Sequence, residues 1–292
     1  MTKILILGGG GMVGQKLANH LLASGLPGHK TLDITLFDMA FPLKQDGRLS
    51  CITGSLTDAQ NITMLAQLRP DLIFHLASIV SGEAESNFDA GWQVNMFTMW
   101  HYLEALRKLH IETGGTYVPK IIFTSSIAVF GGPFPEQIDD TFLSAPQTSY
   151  GAQKASCELL LSDFSRKGFV DGISLRLPTI CVRPGKANLA ASSFFSGIIR
   201  EPLNGQKAIL PVDESVRHWH ASPRAAAGFL RHAATLDSRL LENRRALNLP
   251  GVSCTVAEQI EALRRAAGQS VVNLIEHRPD GTIINIVSSW PR

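Results

Sequence analysis

Lys3-Ile-Leu-Ile-Leu-Gly8-Gly9-Gly10-Gly11-Met12-Val13-Gly14 is the stretch that decides the fold, and Leu17, Leu21 and Leu22 follow it at helical spacing. A short apolar run of β-forming residues meets a glycine cluster and then a helix period, which is the strand–turn–helix of a dinucleotide-binding unit. In such a unit Gly8 permits the tight turn, Gly11 lets backbone amides approach a pyrophosphate, and Gly14 lets helix pack closely on strand. The helix N-terminus offers N–H groups and the positive end of its dipole to phosphate. Gly8, Gly11 and Gly14 give G-x-x-G-x-x-G, but counting from Gly9 the same stretch satisfies G-x-G-x-x-G, so the motif leaves its register open.

The next strand, Leu32-Asp-Ile-Thr-Leu-Phe-Asp38, ends in an acid. A carboxylate there accepts hydrogen bonds from both hydroxyls of an adenosine ribose and repels a 2′-phosphate, which favours NAD over NADP. No arginine follows directly. Asp is also common at strand-end turns, and that plainer role stays open for Asp38.

Strand and helix patterns then alternate. Residues 48–56 are strand-like, 59–68 helix-like, and Asp71-Leu-Ile-Phe-His-Leu-Ala77 is another apolar strand. A long helical stretch is predicted over 87–109, a strand over 120–126, a helix over 150–166 and a strand over 172–177. Buried, non-alternating strands separated by helices predict an α/β fold, a Rossmann-type doubly wound parallel sheet with helices on both faces. Ligands of such sheets bind beyond the carboxyl ends of the strands. Gly8, Asp38, Ala77, Ser126 and Pro178 all fall there. From about residue 181 the pattern changes to helix and loop, with Pro184-Gly185, Pro202, Gly205, Pro211 and Pro223 as punctuation. The expected organisation is therefore an NAD-binding domain over 1–180 and a smaller C-terminal substrate-binding region over 181–292, with the pieces at 221–250 rejoining the first. The chain stops at Ser288-Ser-Trp-Pro-Arg292 without an obvious cap, which leaves room for a further short tail.

Composition excludes several classes. A chain of 292 residues that is 45% hydrophobic can bury a large core. A net charge of +2 with no dense basic run gives no case for nucleic acid or an anionic membrane surface. Cys51, Cys157, Cys181 and Cys254 are scattered, without a C-x-x-C pair or zinc-like His spacing, so they read as reduced thiols of a cytoplasmic protein with no metal site. Neither a signal peptide nor a membrane span is expected.

Chemistry enters at Tyr150-Gly-Ala-Gln-Lys154, behind a strand ending in Ser125-Ser126. Residues four apart on a helix share a face. A phenol titrates near pH ~10, and a nearby ammonium favours its phenolate, which brings proton transfer closer to neutral pH. With a serine hydroxyl to hold the reacting oxygen, this is equipment for oxidising an alcohol. Alone, Tyr-x-x-x-Lys is an ordinary amphipathic helix pattern; the glycine turn gives it meaning.

Together these residues resemble the extended short-chain dehydrogenase/reductase family, which includes nucleotide-sugar epimerases and dehydratases, and the resemblance covers nearly the whole chain. It implies Ser126, Tyr150 and Lys154 as the catalytic triad. It implies Gly8, Gly11, Met12 and Val13 at the pyrophosphate, Asp38 at the adenosine ribose, and Ser55 and Leu56 near the adenine. Leu76 and Ala77 would flank the cofactor, Asn95 support the active-site region, and Pro178 lie against the nicotinamide. Ser55 stands where family members often carry an acid, which puts the adenine contact in doubt, and Phe130 replaces a frequent tyrosine.

Within the family, Ile127-Ala128 occupy the place of the Asp-Glu pair that dehydratases use. The segments Leu175-Arg-Leu-Pro-Thr-Ile-Cys-Val-Arg-Pro-Gly185 and Arg217-His-Trp-His-Ala-Ser-Pro-Arg-Ala-Ala-Ala-Gly228 are most similar to members that oxidise a four-carbon sugar acid at its 2-hydroxyl. A small acid needs its carboxylate held by a fixed cation, and a guanidinium does this in two-pronged fashion. Arg183 and Arg217 are the candidates, with Thr179 as a further substrate residue and Lys186 as a weaker anion site. Either arginine could instead make an ordinary ion pair. His218 and His220 could touch substrate or simply pack around Trp219. The alternatives to a sugar-acid dehydrogenase are an epimerase that keeps its NAD tightly bound and a catalytically silent dinucleotide sensor. Short-chain relatives often pair through two helices, so a homodimer using apolar positions in 91–109 and 157–164 is expected.

Overall fold

The computed structural model describes residues 1–185 and 190–288; Lys186 and the end of the chain beyond 288 lie outside the described residues. In chain order the elements are β1 (Thr2–Leu7), α1 (Met12–Ser24), β2 (Leu32–Asp38), β3 (Leu49–Thr53), α2 (Ala59–Gln67) and β4 (Leu72–His75). They continue with α3 (Ser81–Ser86), α4 (Phe88–Trp92), α5 (Thr98–Glu112), β5 (Lys120–Ser126), α6 (Ser149–Arg166), β6 (Asp171–Leu177) and β7 (Thr179–Ile180). The last third holds α7 (Ser193–Leu203), β8 (Ala208–Leu210), β9 (Arg217–Ala221), α8 (Pro223–Thr235), β10 (Ala246–Asn248), β11 (Val252–Thr255), α9 (Val256–Ala267), α10 (Gln269–Val272), β12 (Ile275–His277) and α11 (Gly281–Ser288).

Seven parallel strands form the main sheet in the order β10-β6-β5-β4-β1-β2-β3. Strand order reverses at β1, which opens a crevice between β1 and β4 at the carboxyl edge. Alternation along each strand feeds two cores. Leu5, Leu7, Ile73, Ile121 and Phe123 face α2, α5 and α6 through Leu65, Leu103, Leu106 and Leu161. Ile4, Ile6, Leu36, Phe74 and Ile122 face α1 and α8 through Leu17, Leu21, Leu230 and Ala233. A strand buried on both sides must be apolar at every position, which is why β1 and β4 read as continuous runs.

Pro178 ends the main sheet on this side. A residue without an N–H cannot extend the ladder, and the chain passes from β6, paired with β5, to β7, paired with β9. The second sheet has the order β11-β9-β7, with β9 antiparallel to β11 and parallel to β7. A third core, with Phe194, Phe195, Ile198, Val212, Val256 and Ile260, lies under it. β10 joins the main sheet, and α8 packs on α1, although both come late in the chain.

One element differs from the expected single helix over 87–109. It is α4, a π-helical turn at Gln93–Phe97, and α5. Asn95 sits in the turn and is buried. Such turns are rare and cluster at functional sites. Among the described residues no helix is long and apolar enough to cross a membrane.

Candidate active site

Glycine and backbone shape one wall of the crevice. A Cβ on Gly8 would stand 2.6 Å from the Ala77 nitrogen, and one on Gly14 would stand 2.3 Å from the Gly8 carbonyl oxygen. A Cβ on Gly11 would meet only the Gly8 oxygen, at 3.4 Å, so that face stays open. α1 begins behind Gly11 with neither a side-chain cap nor an acid in its first turn. Its first N–H groups have no intrahelical acceptor, and an anion fits there. Asp38 is fixed at the end of β2: its Oδ2 accepts from the Gly10 N–H at 2.9 Å and its Oδ1 from the Met39 N–H at 2.7 Å. A carboxylate has about four acceptor positions, so capacity remains for ribose hydroxyls. These features fit a dinucleotide with its pyrophosphate on α1 and its ribose at Asp38.

Ser126, Tyr150 and Lys154 line the same cleft of about 340 Å3 as Gly8, Gly11, Met12, Val13, Leu76, Pro178, Thr179 and Arg183. Thr148 caps α6 by accepting from the Gly151 N–H at 3.1 Å. Gly151 has no side chain, and a Cβ there would stand 2.1 Å from the Ala128 oxygen. The start of α6 therefore lies directly on the turn after Ser126, which brings Tyr150 to it. Lys154 is buried; its Nζ donates to the Thr124 carbonyl at 2.9 Å and lies 5.5 Å from the Tyr150 ring centroid and 4.7 Å from that of Phe123. The Ser126 Oγ accepts from the Ala128 N–H at 3.1 Å. Its neighbour Ser125 donates instead to Glu158, which also pairs with Arg176 at 2.8 Å. The two adjacent serines thus have different partners.

The π turn serves α6 from behind. The Asn95 Nδ2 donates to the Gln153 Oε1 at 2.7 Å, and its Oδ1 accepts from the Ile79 N–H at 2.8 Å and from the Ser78 hydroxyl at 3.0 Å. His75 lies in this floor with both ring nitrogens lacking a hydrogen-bond partner; burial, and then the Lys154 charge, push its pKa down to about 3.

Side chains make the opposite wall. Arg183 is largely buried: its Nε donates to the Ile180 carbonyl at 3.1 Å and its Nη2 to the Ser192 hydroxyl at 2.7 Å. Burial lowers its pKa. Arg200, from α7, lines the cleft beside it, donates to the Arg183 carbonyl at 2.7 Å and pairs with Glu201. The Thr179 Oγ1 lies 2.7 Å from the Nε2 of buried His218.

Not every expected residue reaches the cleft. Arg217 is half exposed, pairs with Glu258 at 3.5 Å and donates to the Ser253 carbonyl at 3.2 Å. It faces a separate hollow with residues 132–136 and Ile138. In β9 alternate side chains point to opposite faces, so burying His218 and His220 sends Arg217 to the rim. His218 and His220 pack rather than line: His218 stacks on Phe195 at 4.6 Å, and burial lowers the His220 pKa to about 4. The Ser55 hydroxyl is 2.8 Å from the Thr57 hydroxyl, and Leu56 is buried in the core beside Phe37. Lys186 lies outside the described residues. No group of three or more His, Cys, Asp or Glu suited to a metal occurs among the described residues. Arg200 and Ser192 were not read as parts of this cleft in the sequence, and His218, read there as a candidate substrate contact, stands behind Thr179 instead. Arg200-Glu201 in a helix looks like any surface pair, and nothing local marks it.

The model of the NAD dependent epimerase/dehydratase family matches residues 4–246. A D-erythronate dehydrogenase from Cupriavidus necator is 46% identical over 294 residues, covering 99% of this chain and 89% of that protein. Another from Haemophilus influenzae is 44% identical over 291 residues, covering 99% and 90%. A crystal structure described as a nucleoside-diphosphate-sugar epimerase from Agrobacterium tumefaciens is 50% identical with a TM-score of 0.91, covering 99% of this chain and 85% of that one.

Proposed function

The chain belongs to the NAD-dependent epimerase/dehydratase family and is an NAD-dependent oxidoreductase, and from that premise we propose that it oxidises the 2-hydroxyl of a small sugar acid, D-erythronate, to 2-dehydro-D-erythronate. The observation that carries the reading is the single cleft shared by Ser126, Tyr150, Lys154 and a largely buried Arg183. Both curated relatives named above are D-erythronate dehydrogenases.

NAD, when bound, supplies the hydride acceptor. Gly8, Gly11 and the start of α1 hold its pyrophosphate, Asp38 its adenosine ribose, and Pro178 borders its nicotinamide end. Arg183 binds the substrate carboxylate, a charge-assisted contact that fixes orientation as well as affinity. Ser126 donates to the C2 oxygen and Tyr150 removes its proton while C2–O becomes a carbonyl and the C2 hydrogen departs with its electron pair. Lys154 stabilises the charge on the phenolic oxygen and holds the ribose hydroxyls beside it.

The second reading is a nucleotide-sugar epimerase, favoured by the description of the Agrobacterium tumefaciens structure. The deciding experiment incubates purified protein with NAD and four- to six-carbon aldonates, or with nucleotide sugars, and follows NADH. Net NADH with D-erythronate supports the dehydrogenase. Stoichiometric bound cofactor, no NADH with any aldonate and conversion of a nucleotide sugar would favour the epimerase. The reading also takes the protein as a homodimer through the exposed Phe97, Trp100 and Leu159 of the π turn, α5 and α6. Sedimentation at the mass of one chain would remove the dimer.

A further inference from the structure

Thr179 is only 7% exposed, and it is the one threonine from the second sheet that lines the cleft among the described residues. Its hydroxyl is held from behind. The His218 Nε2 lies 2.7 Å from the Thr179 Oγ1. The imidazole is wholly buried, stacked on Phe195 with ring centroids 4.6 Å apart and planes 9° from parallel, and meets the His220 ring edge-on at 5.2 Å. Phe195 is itself fully buried. The parallel register Thr179↔His220 places β9 directly beside β7. An imidazole wedged in this way has no freedom to swing, so it fixes the rotor of a threonine whose χ1 is already stiff.

A threonine hydroxyl has one donor and two acceptor positions. The His218 nitrogen uses one of them. Whichever tautomer the ring takes, a donor or a lone pair remains on Thr179, which lines the cleft. In the reaction proposed above Ser126 and Tyr150 act on the C2 oxygen and Arg183 on the carboxylate, and Thr179, which lines the same cleft, has no part in either step and is available for a different oxygen.

We propose that His218 is a positioning residue that holds the Thr179 hydroxyl to recognise a substrate hydroxyl other than the one oxidised, so that the cleft selects polyhydroxy acids over simple 2-hydroxy acids. The inference rests on the sugar-acid reading. A 2-hydroxy acid lacking the further hydroxyls leaves the remaining hydrogen-bond capacity of Thr179 buried and unmatched, a loss that binding cannot recover elsewhere.

The test compares kcat/KM for D-erythronate with that for 2-hydroxybutanoate of the same C2 configuration. Both have four carbons, a carboxylate and the reacting hydroxyl. Wild-type protein is expected to prefer D-erythronate. Thr179→Val and His218→Phe should each reduce that preference by about tenfold, equivalent to about 1.4 kcal/mol, through KM for D-erythronate with kcat little changed. The double variant should lose no more than either single one, because both changes remove the same contact, and His218→Gln should recover part of the preference. NAD affinity, read by quenching of protein fluorescence, reports whether His218→Phe folds; should it not, His218→Gln and Thr179→Val carry the comparison. Full preference in Thr179→Val, or losses that multiply in the double variant, overturns the inference while the dehydrogenase reading stands. Wild-type protein that forms NADH with neither acid overturns both.

Discussion

On the cofactor side of the cleft the shape is set by backbone, and on the opposite side by side chains from distant segments. Gly8, Gly11 and Gly14 lie within one strand–turn–helix; a Cβ on Gly8 would run into Ala77 and one on Gly14 into Gly8, while Gly11 leaves its face open. Across the cleft Thr179 leans on His218, 39 residues away, and Arg183 on Ser192 and the Arg200 of α7. The difference is one of range. Backbone approach is a local property and leaves a local mark, whereas a side-chain wall exists only after β7, β9 and α7 have packed. It follows that changes on one side should alter cofactor handling and changes on the other should alter turnover or selectivity.

The largest expected effect separates chemistry from cofactor binding. Tyr150→Phe removes a general base worth roughly 10²–10⁴-fold, so turnover with D-erythronate should fall by that factor while NAD affinity in a fluorescence titration stays near wild type. Equal turnover would take the phenol out of the reaction.

An intermediate effect concerns pH, because on each side burial holds an imidazole neutral. Burial lowers the His75 pKa from 6.5 to about 3 and the His220 pKa from 6.5 to about 4. The unfolded chain therefore binds more protons than the folded one below pH ~6.5, so stability is greatest above that value and is lost as pH falls toward the folded-state pKa values. At pH ~5 each group should cost about 2 kcal/mol relative to pH ~7.5. Urea unfolding at the two pH values checks this, and His75→Leu and His220→Leu should each remove about half of the change. A midpoint independent of pH in wild-type protein would contradict the buried neutral rings.

The smallest effect tests the cofactor side alone. Asp38→Ala removes the carboxylate that repels a 2′-phosphate, and the ratio of kcat/KM for NAD over NADP should fall by about tenfold, about the worth of one charged contact. An unchanged ratio would place the ribose away from β2.

Much of this was legible in the chain. The glycine turn, the apolar strands β1 and β4, and the Tyr150–Lys154 spacing each follow from short-range pattern, and the parallel α/β fold follows from their alternation. Other features were not. The long helix over 87–109 carries no break signal, yet Asn95 bonds Ile79 and Gln153 and the helix opens into a π turn there. Arg217 and Arg183 looked alike as anion holders. Only the pairing of β9 with β11 and β7 sends Arg217 to Glu258 and leaves Arg183 at the cleft.

The amino-acid sequence by itself determined where the strands and helices run, where phosphate can approach a helix start, and which tyrosine and lysine share a turn. All of these depend on neighbours within about one helical turn or one strand. The packed structure decided which partner each serine of the pair takes, which arginine stays at the cleft, and that a buried histidine backs Thr179. Those outcomes depend on which segments, far apart in the chain, come to lie within a hydrogen bond of one another, and no local pattern encodes that.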